Sequence, residues 1–123
     1  YVQGEYPVHG EEPGERNPSH FAPALLPRIY DADMRPVLES NMMEPESLNF
    51  WGPVGYSTDT NYLSSQERVG DVPLLTMARA VFGENRSDIL IPVEAADRIL
   101  ASEHNRELIQ QGRILIIYSD VID

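Results

Sequence analysis

Apolar and polar positions alternate by different rules in the two halves of the chain. In the second half, Leu74, Leu75, Ala78, Val81 and Phe82 recur at helical spacing. Asp71 stands before them as an N-cap, Pro73 lies in the first turn, and Gly83 follows as a stop, which predicts a buried helix. Gly83 to Ser87 reads as a turn, and Ile89-Leu90-Ile91 as a short buried strand. Pro92 then opens a helix with Val93, Ala96, Ile99 and Leu100 on one face and Glu94 four residues before Arg98. Ser102 either interrupts this helix or caps a further one that carries Leu108 and Ile109 and ends at Gly112. Arg113 to Tyr118 has the strongest strand character. Strand, helical stretch and strand suggest a β-α-β unit with its two apolar strands parallel, an antiparallel arrangement with other partners being the alternative.

The first half shows no such periods. Eight of ten prolines lie at or before Pro53, and eight of ten aromatic residues at or before Tyr62. Residues 1–20 have neither a 3.6-residue nor a 2-residue apolar period, and Pro7, Pro13 and Pro18 each remove a backbone donor. They are expected to form an extended arm. Between Phe21 and Gly70, the short apolar stretches Ala24–Leu26, Arg28–Tyr30 and Pro36–Leu38 are separated by turn-prone clusters at Asp31-Ala32-Asp33, Asn41 and Trp51–Gly55. This pattern predicts short strands and loops, and Trp51 is expected in the core. The expected architecture is one α+β domain over residues 21–123, with a strand-and-loop part at 21–70 and a regular part at 71–123, preceded by the arm.

Length and composition agree with a single core. The chain has 123 residues, 41% hydrophobic, and its longest apolar runs fall far short of the roughly 20 residues needed to span a bilayer as a helix. No basic segment followed by an apolar one marks the start as a signal peptide, and the compartment stays open. Nine arginines, no lysine and twenty acids leave a net charge of −11, which argues against phosphate-driven nucleic-acid binding. The absence of lysine removes Schiff-base and P-loop chemistry, and the absence of cysteine removes disulfides, thiolate metal sites and thiol nucleophiles.

Candidate chemistry is sparse. His9, His20 and His104 are not spaced as paired metal ligands, although Glu107 lies one turn from His104. Asp31-Ala32-Asp33 suits either a cation site or a turn, and the turn is the simpler reading. Glu39, Glu44 and Glu46 sit among Ser40, Asn41 and Pro45 in what reads as an exposed loop, where nothing raises a carboxyl pKa for acid catalysis. Neither a G-x-S-x-G elbow nor a glycine-rich phosphate loop occurs. No residue is assigned to catalysis, a cofactor or a metal. The expectation is a non-catalytic structural or accessory subunit that docks onto protein partners in a larger assembly, copies of itself included, through Tyr1, Tyr6, Phe21, Tyr56 and Tyr62. A virion decoration protein is one concrete setting. The alternatives are a small carboxylate/histidine enzyme or ligand-binding domain, and an acidic mimic of nucleic acid.

Overall fold

The computed structural model describes residues 1–2, 5–6, 19–58, 66–70, 73–83 and 86–118, and it forms a single α+β domain. Among the described residues the core is a four-stranded sheet in the order β4-β3-β7-β6. It comprises β3 (Ile29–Asp31), β4 (Pro36–Leu38), β6 (Ala80–Phe82) and β7 (Asp88–Ile91). Two smaller sheets pair β1 (Glu5–Tyr6) with β2 (Ser19–His20) and β5 (Gly55–Ser57) with β8 (Leu115–Ile117). The strands β3 and β7 run parallel, with Ile29 opposite Ile89 and Asp31 opposite Ile91, and β5 and β8 are likewise parallel. Every residue of β7 is buried, which suits a central strand covered on both faces.

Among the described residues four α-helices complete the domain: α1 (Pro45–Trp51), α2 (Gln66–Val69), α3 (Val93–Leu100) and α4 (Glu103–Gln110). The helix expected after Pro92 is α3, and of the two readings of Ser102 the structure selects the cap. Its side chain accepts from the Asn105 N–H at 3.1 Å and starts α4. Gly112 closes α4 at φ 72°, and an added Cβ would lie 2.6 Å from the Gly52 carbonyl oxygen, so no other residue fits without displacing backbone.

Three expectations are corrected. The segment expected as a buried helix around Leu74–Phe82 has no regular secondary structure over 73–79 and continues into β6, and Leu75 and Met77 are more than half exposed. Its backbone groups find distant partners instead of one another: the Ala78 N–H donates to Tyr1 and the Arg79 N–H to Leu90. The apolar strands β7 and β8 do not pair with each other. Val2 bonds to Ile117 and bridges Tyr118 on one side, while Tyr1 meets Thr76 and Ala78 on the other, so Tyr1–Val2 stitches the β5–β8 sheet to the segment that leads into β6. In the stretch read as strands and loops, residues 45–51 form α1, opened by Pro45 and Glu46 and closed by Gly52 at φ 77°. Trp51, half-buried, is its last residue.

Candidate functional site

Two features stand out on this frame, a protruding loop and an apolar cleft. The loop follows from the sequence Pro23-Ala24-Leu25-Leu26-Pro27, in which two prolines restrict the backbone around a leucine pair. Its base is fixed. The Ala22 N–H donates to Arg86 O at 3.0 Å, and the Ala24 N–H donates to the Tyr56 hydroxyl, which returns a bond of 2.8 Å to Ala24 O. Pro27 is fully buried, and the Arg28 N–H and guanidinium both donate to the Asp88 carboxylate.

Beneath the loop, Phe21, Tyr56 and Tyr118 form a triangle of rings with centroids 5.8–6.1 Å apart. Such tilted and edge-on pairs add about 0.5–1.5 kcal/mol each beyond burial. Burial raises the Tyr56 phenol pKa, against the Ala24 bond that lowers it, so the hydroxyl stays protonated and can keep donating. The result is a stiff mount that holds Leu25 91% and Leu26 57% exposed. Their apolar surface is presented to solvent by a loop that has little freedom left to lose.

The second feature is a cavity of about 750 Å³ between the sheet and the helix pair α3–α4. Ile29, Ile89, Ile91 and Ile116 line its sheet side, Ile99 and Leu108 its helix side, and Leu74 and Leu75 the 73–79 segment at its lip. Arg68, Arg98 and Arg113 also line it, and among the described lining residues there is no aspartate, glutamate or histidine. The guanidinium of Arg68 caps the ends of two helices, donating to Trp51 O at 3.1 Å, Gly52 O at 3.0 Å and Gly112 O at 2.8 Å. It and the Arg113 guanidinium lie 4.8 and 4.7 Å from the Trp51 ring centroid, and the indole N–H donates to Gln111 O.

The family model described as Treponema pallidum Tp0624, second domain, matches residues 10–120 of this chain. The chain belongs to that family. No curated protein matches it.

The residues expected to bind partners sit elsewhere than on a free arm. In this member of the Tp0624 second-domain family, Tyr6 and Phe21 are buried in the core, Tyr1 is half-buried beside Thr76, and Tyr56 supports the loop from below; Tyr62 lies outside the described residues. Val2 and Tyr6 of the expected arm thus belong to the core, and the backbone of Tyr1 and Val2 is satisfied by pairing with β8 and the 76–78 segment. What sequence reasoning passed over was the leucine pair, whose available signal was its bracketing by prolines.

Among the described residues, no three of the histidines and acids gather as they would around a metal ion. His104 is on an exposed face of α4 outside the cleft, His20 is half-buried in β2, and His9 lies outside the described residues. Asp31 is 1% exposed and accepts from the Asp33 and Arg35 N–H groups and from Arg35 Nε, so its carboxylate is the hub of the β3–β4 turn. Burial pushes its pKa up, but these bonds together outweigh it and hold the carboxyl below 3.8. Glu44 and Glu46 are exposed around the start of α1, and Glu39 accepts from the Tyr30 hydroxyl.

Proposed function

We propose that this chain is a non-catalytic domain that docks onto a protein partner, with Leu25 and Leu26 as the contact. The observation that carries this reading is the exposure of two leucines on a loop whose Ala24 is bonded in both directions to Tyr56 of the Phe21–Tyr56–Tyr118 triangle. A solvated loop has no need of such support, whereas a binding loop held in one conformation pays little ordering entropy on contact. The description of the family as a second domain favours docking within or beside a longer chain over a free virion decoration protein.

The test is size-exclusion chromatography with light scattering on native extract and on the purified chain, comparing wild type with the double variant Leu25→Asp, Leu26→Asp. Both positions are exposed, so the variant should keep its circular dichroism and Tm. Wild type should elute with a larger species in extract and the variant as the free protein. Should the variant co-elute as wild type does, the leucine pair is not the contact. A concentration-dependent dimer of the purified chain, lost in the variant, identifies a second copy as the partner.

A further inference from the structure

The apolar cleft combines a volume and a charge pattern that the docking loop does not use. Its roughly 750 Å³ falls within the range of small-molecule sites. Its walls are mostly apolar, with isoleucines from three strands on one side and Ile99 and Leu108 on the other. Among the described lining residues the charged side chains are all arginines, and the other polar ones, Thr76, Asn105 and Gln111, are neutral. In a chain of net charge −11 with twenty acids, three of the nine arginines line this one cavity, and none of the acids does so among the described residues.

These arginines are treated differently from those on the four-stranded sheet. Arg28 is paired with Asp88, and Arg35 with both Asp31 and Asp97. Arg68 instead donates to three backbone carbonyls, which satisfy its N–H groups and leave its formal charge uncancelled. Its pKa is lowered by burial first and then by the neighbouring positive charge of Arg113. Arg98 is exposed on α3, forms no ion pair among the described residues, and is flanked by an Asp97 already engaged by Arg35. A planar guanidinium of this kind is suited to bidentate capture of a carboxylate.

We infer that the cleft is a binding site for an aliphatic carboxylate, whose hydrocarbon chain lies between the β3–β7 sheet and the α3–α4 pair and whose carboxylate is held by Arg98 at the opening. The chain replaces water against isoleucine and leucine side chains, and the anion offsets the local excess of positive charge. This goes beyond the docking reading and does not depend on it.

The test is isothermal titration of the full chain, below micelle-forming concentrations, with dodecanoate, dodecyltrimethylammonium and acetate. Dodecanoate should bind one per chain, while the cationic amphiphile and the headgroup-sized acetate should not. Arg98→Gln should weaken dodecanoate about tenfold, the loss of one charge-assisted contact, with Tm unchanged because the side chain is exposed. Methyl NMR should place the shifts at Ile89, Ile91, Ile99 and Leu108. Absence of saturable binding, equal binding of the cation, an unaffected Arg98→Gln variant, or shifts confined to Leu25 and Leu26 would each overturn the inference; the last two outcomes leave the docking proposal standing.

Discussion

Two regions of the molecule use the same side chain in opposite ways. Around β3, arginine is a counter-ion: Arg28 meets the buried Asp88, and Arg35 joins Asp31 in its turn to Asp97 on α3. Where α1 and α4 end, arginine is a cap: Arg68 ties off the carbonyls of two helix ends and stacks with Arg113 about Trp51. The first arrangement pairs arginine with carboxylates, and in the second Arg68 is satisfied by carbonyls. An acidic chain can therefore carry a cationic cleft, because net charge describes the sum of the surface and not its distribution.

The comparison breaks most severely in the capping region. Gly112→Ala puts a Cβ against the Gly52 carbonyl at a positive φ, and Arg68→Leu leaves three carbonyls without their donor. Each should cost about 3–4 kcal/mol, from the strain of a left-handed non-glycine residue plus the clash in one case and from lost charge-assisted bonds in the other. Urea denaturation should show this, with Arg68→Lys recovering only part of the loss, since a point charge cannot reach all three carbonyls. A shift below about 1 kcal/mol for Arg68→Leu would mean that water replaces the caps at no cost.

In the counter-ion region the effect should be smaller and dependent on pH. Asp31→Ala removes the acceptor of two turn N–H groups and of Arg35, and is expected to cost about 2–3 kcal/mol at neutral pH. Because the folded-state pKa is depressed, this stability is fully present above the unfolded value near 3.8 and is lost as pH falls through the lower folded value. Wild type and variant should therefore converge in stability under acid. A constant difference from neutral to acid pH would show that packing, and not the carboxylate, carries the effect.

How far this layout could be read beforehand depends on where each element finds its partners. The helices α3 and α4 and the strands β7 and β8 were legible, because Pro92, Ser102 and Gly112 punctuate them and their apolar periods are local. Residues 74–82 were not. Apolar spacing consistent with a helix is also met by a non-helical segment, and the choice was made by Tyr1 and Leu90, which accept from Ala78 and Arg79 across the chain. The seven-residue α1 hid in a proline-rich stretch, although Pro45 at its start and Gly52 at its end were both available signals. The sequence shows that Phe21 and Tyr56 are large and apolar but not which side of the surface they occupy, and the structure buries Phe21 and sets Tyr56 against Ala24. Leu25 and Leu26 face solvent because Tyr56, 32 residues on, grips Ala24 from beneath.

The mildest test concerns that grip. Tyr56→Phe keeps the ring in the triangle and removes the hydroxyl that both accepts from and donates to Ala24, so it should cost about 1 kcal/mol. The pH dependence has the opposite sense to that of Asp31. Burial raises the phenol pKa above 10.0, so its contribution is complete below that unfolded value and fades as pH rises through the folded one. Wild type should thus lose its margin over Tyr56→Phe under strongly alkaline conditions. Hydrogen exchange gives a second readout, because losing the hydroxyl should quicken exchange at Ala24 by several-fold while leaving Ile89 to Ile91 in the central strand unchanged. Unaltered exchange at Ala24 would show that Pro23 and Pro27 alone hold the loop, and the leucine pair would then owe its posture to backbone restriction instead of to the aromatic mount.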